Sequence, residues 1–248
     1  MSAGTVFDRT VEPAWLDQTL TLRIDDPATA RKRLDLWMTD QLASVTGREK
    51  TMSVLVRTWI EPRPSAEPMI RWAATLAPRR QEWGCLHLGA LFAAYPFFGS
   101  ACGVIGHEIA LHGEIRTAAV CQRLRETWGD RGVIDVGGQS VTRTLRAFGV
   151  LEGRKGGKSA SQGARIPVPA DLSLWIAHAL QLTRRVDEVD LRDLRSAPEL
   201  FMFEFRGQPS SYPLGDVFAE GGGRRVFRGE RNGHTGRELG PQTLQLFR

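Results

Sequence analysis

The chain has 248 residues, of which 42% are hydrophobic and 25% charged, a composition that is typical of a folded globular protein and excludes a largely disordered one. Its net charge of +5 favours an anionic partner. The three cysteines, Cys85, Cys102 and Cys121, form no CxxC pair, so the sequence predicts no disulfide framework, no metal site and no other cofactor.

The N-terminal region, residues 1–96, is predicted to be a set of short amphipathic helices. Its first residues lack a basic stretch followed by an apolar run, so we expect no signal peptide and a cytoplasmic protein. Residues 19–24 alternate between polar and apolar side chains and predict a strand or an extended arm. Helices are predicted at 27–45, 50–60 and 69–76, with a proline-rich connector before the last of them.

Residues 88–106 carry no charged side chain, and the stretch is long enough to raise the question of a membrane span. A span is the less favoured alternative because Pro96 lies in the middle and His107-Glu108 follows directly. We therefore predict two buried helices that meet at Tyr95-Pro96 and no contact with a membrane. The second of them, at about 97–112, would begin the next region.

The central region, residues 97–169, has the pattern of a winged helix-turn-helix, in which one helix enters a DNA groove and a hairpin lies beside it. An extended piece at 114–116 precedes a helix that Thr117 is expected to cap. A glycine-rich turn is predicted at 130–138. The apolar stripe of the first helix is Val120, Leu124 and Trp128.

The second helix of this region is predicted to begin near Gln139 or Ser140. Extended residues 150–152 and 164–168 flank a basic, glycine-rich loop at 153–163, which is the pattern of a wing. The apolar stripe of the second helix is Val141, Leu145 and Phe148, and Gly149 is expected to end it.

The polar face of the second helix and the loop supply the candidate DNA contacts, because their side chains bond phosphates and base edges. Residues 116–165 hold ten Lys or Arg against four Asp or Glu, so the positive charge of the chain is concentrated here. A winged helix used for protein contacts is the alternative. The candidate contacts are Gln139, Ser140, Thr142, Arg143, Arg146, Arg154, Lys155 and Lys158.

The C-terminal region, residues 170–248, is predicted to continue the mainly α fold. Helices are expected at 172–182 and 189–194, and the apolar residues 200–205 predict a strand or a buried turn. The glycine- and arginine-rich remainder permits either a second wing-like hairpin around 217–228 or an unstructured tail.

The sequence offers no coherent set of acid, base and nucleophile, so we expect a protein that is not an enzyme. His107 and His112 are five positions apart on one predicted helix, which turns them away from a shared metal. His178 lies among apolar residues and is interpreted as a core histidine. Lys158-Ser159 has no glycine at the position a phosphate-binding loop requires.

Residues 86–151 resemble the small BrxA-type proteins of BREX bacteriophage-exclusion systems, while the N-terminal region and the arginine-rich end depart from that pattern. The resemblance implies a helical, non-enzymatic, DNA-binding component of a bacterial anti-phage defence system. The matching residues are Trp128, Gly138, Leu145, Phe148, Gly149, Val150 and Leu151.

Together these patterns predict a protein that binds double-stranded DNA with little regard to sequence and serves anti-phage defence, with other subunits of the defence system as a second class of partner. Two alternatives stay open. One is an assembly adaptor that docks a partner on residues 200–205. The other is a transcriptional regulator, which would need a dimer; the sequence leaves the oligomeric state open.

Overall fold

The computed structural model describes residues 6–153, 157–220 and 224–230, and it confirms the predicted mainly α fold. The α-helices in this part of the chain are α1 (Pro13–Asp25), α2 (Ala30–Gln41), α3 (Val45–Leu55), α4 (Glu67–Ala74), α5 (Trp83–Ala94), α6 (Pro96–His112), α7 (Thr117–Trp128), α8 (Gly132–Ala147), α9 (Ser173–Arg184) and α10 (Asp193–Ser196). The strands are β1 (Glu114–Arg116), β2 (Leu151–Glu152), β3 (Ser159–Gln162), β4 (Ile166–Val168), β5 (Val189–Asp190), β6 (Phe203–Phe205), β7 (Gly215–Ala219) and β8 (Arg225–Gly229).

The strand or arm predicted at 19–24 is wrong, because these residues belong to α1. Pro13 stands at the start of that helix, where its missing N–H costs nothing. Leu16 and Leu20 are four positions apart and both are buried, so the helical spacing of the apolar residues decides the structure over the local alternation.

The helices predicted at 27–45 and 50–60 are present with shifted bounds. Asp26 accepts hydrogen bonds from the Ala28 N–H and the Thr29 hydroxyl, and this turn delays the start of α2 until Ala30. Ser44 caps α3 by accepting a hydrogen bond of 3.2 Å from the Gly47 N–H, so α3 begins before residue 50. It continues into a wider π-helical turn at 56–60.

The two buried helices predicted around Pro96 are confirmed as α5 and α6. Tyr95 is extended and Pro96 opens α6, as expected for a residue before proline and for a proline in a first helical turn. The helix axes turn by 114° at this break. No single helix of the described residues is long and apolar enough to cross a membrane, and only this bent pair passes the test of length and composition together.

One hydrophobic core contains residues from all three regions that the sequence predicts. The buried rings of Phe7, Phe92 and Phe98 meet edge to face, and Phe203 reaches Phe92 from the C-terminal region at 6.3 Å between ring centroids. Since α5 and α6 lie at the centre of this core, they support the elements on both sides.

The strands form three small sheets. The first has the order β1-β3-β2 and is antiparallel, the second pairs β4 with β6 in parallel, and the third has the order β5-β8-β7. The prediction that 164–168 returns the wing strand is therefore wrong. Residues 159–162 return it, and β4 instead pairs with β6 in the C-terminal region.

Of the two alternatives for the glycine- and arginine-rich segment, the structure shows the hairpin, formed by β7 and β8. The helix predicted at 189–194 is wrong in its first half, because Val189 and Asp190 pair with β8 and the helical turn of α10 comes later. Residues 200–205 end in β6, in agreement with the predicted strand. Residues 231–248, the last part of that segment, lie outside the described residues.

The glycine-rich turn predicted at 130–138 is also wrong, because α8 begins at Gly132. A side chain at Gly137 would put its Cβ 2.6 Å from a ring carbon of Phe97 and 2.7 Å from Val6. The glycine is needed for this close approach of the helix to the core, and not for a turn. Thr117 does not cap α7; Arg116 holds the cap position without a side-chain bond.

Candidate functional site

The start of α7, the length of α8 and the hairpin β2–β3 surround a cleft of about 1240 Å³. Its lining is Thr10, Glu12, Thr117, Ala118, Cys121, Arg125, Asp135, Gln139, Thr142, Arg143, Arg146, Ala147, Gly149, Leu151, Glu152, Gly153, Gly157 and Lys158. Five of the eight predicted contact residues are in this lining, so the fold brings most of the predicted set to one surface.

The open face of α8 is narrower than the sequence predicts. Arg143 is exposed, and its Nη2 donates to Oε1 of Gln139, half-buried, at 3.3 Å. Ser140 and Thr142 are buried, and the Thr142 hydroxyl donates to the Gly138 carbonyl one turn earlier. Both side chains are therefore too buried to reach a duplex, which corrects the prediction for them, although Thr142 still borders the cleft.

Arg146 is bound to the backbone of the hairpin and is not a free surface cation. Its Nη2 donates to the carbonyl oxygens of Gly157, in the loop before β3, at 3.2 Å and of Ser159, the first residue of β3, at 2.7 Å. The guanidinium lines the cleft, but this donor already serves the protein. Arg146 thereby ties the hairpin to the last turns of α8.

The hairpin brings Lys158 to the opposite wall of the cleft. The Lys158 side chain is exposed, while its carbonyl accepts a hydrogen bond of 2.9 Å from the Thr117 N–H at the start of α7. Two of the predicted loop contacts, Arg154 and Lys155, lie outside the described residues. In the described part of the loop, Lys158 therefore supplies the exposed cation.

Acidic side chains also line the cleft. Asp135, in the first turn of α8, accepts from Nη1 of Arg125 at 2.5 Å, so that pair is neutralised. Glu12 and Glu152 are exposed at the rim. The exposed cations of the cleft therefore lie within a rim that also carries acidic side chains.

The N-terminal segment, residues 6–12, is part of the site, and sequence reasoning missed it. The Val11 N–H donates to Oγ1 of Thr144 on α8 at 3.1 Å, in the interior. Phe7 packs edge to face on Tyr95 and Phe98, which anchors the segment to the core. This packing delivers Glu12 to the cleft; no local pattern in the sequence indicates it.

Two of the histidines that the sequence singles out, His178 and His112, have partners outside the cleft. His178 is buried, with Nδ1 3.2 Å from the Tyr212 hydroxyl and Nε2 3.1 Å from the Glu230 carbonyl. His112 lies 3.9 Å from a carboxylate oxygen of Glu108, which also pairs with Arg123. The described ranges contain no cluster of three or more His, Cys, Asp or Glu side chains suited to a metal.

Comparison with known proteins finds no relative of this chain. No protein-family model matches the chain, and neither a curated protein nor a solved structure is significantly similar to it.

Proposed function

We propose that the protein binds double-stranded DNA, without catalysing a reaction, and does so as a winged helix-turn-helix with α8 in the groove and the hairpin β2–β3 as the wing. The order α6, β1, α7, α8, β2, β3 carries this proposal, together with the sheet order β1-β3-β2. This order fits a helix-turn-helix followed by a wing that closes on the strand before it.

The charge distribution supports the same proposal. Arg143 on α8 and Lys158 on the hairpin are both exposed and line one cleft. Cations at such positions bind phosphates and release condensed counterions, a contribution that does not depend on sequence. We therefore propose sequence-tolerant binding, in which phosphate contacts supply most of the affinity.

The test is the double substitution Arg143→Glu with Lys158→Glu, measured by fluorescence anisotropy on a mixed-sequence duplex across a salt series. Arg146 is left unchanged because it supports the hairpin. We expect the affinity for the duplex to fall by about tenfold or more. We also expect the slope of log K against log salt concentration to become shallower by about 2, because two phosphate contacts are removed.

The matched control is Lys32→Glu with Arg33→Glu, which makes the same charge change on exposed positions of α2. We expect this control to bind almost as wild type does, because only long-range attraction is reduced. Wild-type affinity in the double variant would contradict the proposal. An equal loss in the control would show an effect of net charge alone.

The resemblance of residues 86–151 to BrxA-type proteins is the ground on which we place this binding in bacterial anti-phage defence. Phage plating efficiency on a host with and without the protein addresses that placement; equal plating would contradict it.

An assembly adaptor is the second candidate, and the acidic rim of the cleft favours it, because a surface of mixed charge suits a polar peptide. Its predicted dock at 200–205 offers little apolar surface, since Leu200, Met202 and Phe203 are buried and Phe201 and Phe205 are half-buried. The cleft is the larger surface on which an adaptor could hold a partner. Binding of a partner that survives high salt, without binding of duplex at low salt, would favour this candidate.

A further inference from the structure

The open face of α8 carries two exposed valines that the phosphate contacts leave without a role. Val133 and Val136 expose 38% and 46% of their surface, and they are two of only eight large hydrophobic side chains that are exposed in the described part of the chain. Apolar side chains on an otherwise charged helix face need an apolar partner to contribute to binding.

Val136 lies on the same line of the helix as Arg143. The two residues are seven positions apart, which is nearly two full turns, so their side chains point within about 20° of each other and are separated by about 10 Å along the helix axis. That distance matches about three base-pair steps. Gln139, three positions after Val136, lies between them on this face.

The major groove offers one apolar group to such a side chain, the C5 methyl of thymine, whereas the other base-edge groups are hydrogen-bond donors and acceptors. Cations at Arg143 and Lys158 draw the duplex onto this face and supply the charge complementarity. We infer, resting on the proposed DNA binding, that Val136, flanked by Val133, contacts thymine methyl groups, so that thymine-containing steps are preferred over a phosphate-dominated background.

The experiment compares duplexes that differ only in the methyl group. One mixed-sequence duplex of about two helical turns is prepared with thymine, and again with uracil in its place. A G·C-rich duplex is prepared with cytosine or with 5-methylcytosine, which puts a methyl group at the same edge of the groove. We expect the full-length protein to bind each methylated form more tightly, by about fourfold for each methyl group that it buries.

The variants Val136→Ser and Val133→Ser assign that preference to these side chains. Both positions are exposed, and serine and valine have similar helix propensities, so we expect the fold to persist. Val136→Ser is expected to remove most of the difference in affinity between the thymine duplex and the uracil duplex, bringing their ratio close to one. The control is Val45→Ser, a valine at the start of α3 that is 57% exposed and lies away from α8; this variant should keep the full preference.

The outcomes separate this inference from the proposed function. Equal binding of thymine and uracil duplexes by wild type overturns the inference and leaves DNA binding in place. A preference that persists with serine at both positions also overturns it, since the methyl group would then act through the shape of the DNA. Failure to bind any duplex overturns both, and favours a protein as the occupant of this face.

Discussion

His87 shows how a single buried polar residue is fixed by its neighbours. The Trp59 Nε1–H can only donate, so Nδ1 of His87 must accept that bond of 3.1 Å, and Nε2 carries the proton that it donates to Asp17 at 2.8 Å. Burial lowers the pKa of the imidazole, although the Asp17 carboxylate acts in the opposite direction. The folded protein therefore holds His87 neutral.

This arrangement predicts a loss of stability in mild acid. Below the ordinary value of 6.5, the unfolded chain takes up a proton on His87 that the folded protein does not, so the free energy of unfolding falls until the lowered folded pKa is reached. Well above pH 6.5, His87 is neutral in both the folded and the unfolded chain and contributes no pH dependence to the stability. Urea unfolding on both sides of this pH should show a smaller decline for His87→Gln than for wild type; identical declines would contradict the argument.

At the scale of the element, α8 allows a test of close packing because Gly137 lies against the core and Gly132 faces open space. Gly137→Ala would force a Cβ against Phe97 and Val6, and we expect it to destabilise the protein by about 1–3 kcal/mol, less the roughly 1 kcal/mol gained in helix propensity. Gly132→Ala meets no neighbouring atom within 4 Å and is expected to be neutral or stabilising. Thermal unfolding of both variants checks this; a Gly137→Ala protein at least as stable as Gly132→Ala would refute the close-packing account.

The same helix shows how far the sequence could predict the fold. The Tyr95-Pro96 break and the role of Gly149, which follows the C-cap of α8 with φ of 70°, follow from backbone chemistry and are predicted correctly. The first half of α8 is not, because three glycines indicate a turn unless the residues that pack on them are known. The pairing of β4 with β6 is missed for a related reason, since its partner strand lies in a distant part of the chain.

The candidate site is predictable to the same degree. Arg143 and Lys158 are found from composition and helical periodicity, which place cations on an open face. Ser140 and Thr142 are misassigned because residues 6–12 and α7 cover parts of α8 that a three-helix pattern leaves open. Small hydroxyl side chains are compatible with either side of a helix, so the sequence alone could not separate them.

At the scale of the whole molecule, the shared core predicts that the central region does not fold alone. Phe98 packs on Phe7 and Phe92, which both lie outside residues 97–169, and α6 also contacts the turn at 198–200. We expect the fragment 97–169 to give a poorly dispersed amide spectrum and a broad thermal transition, while the full chain unfolds cooperatively. A well-dispersed fragment spectrum would show that this region is an independent domain.

The hydrogen bonds between Arg146 and the hairpin affect the conformational cost of binding a ligand in the cleft. Because the guanidinium fixes the angle between helix and hairpin in the free protein, both surfaces arrive at a ligand already aligned, and less conformational freedom is lost on association. Removing the hydrogen bonds of Arg146 to the hairpin should leave the association rate of the proposed complex nearly unchanged and increase its dissociation rate.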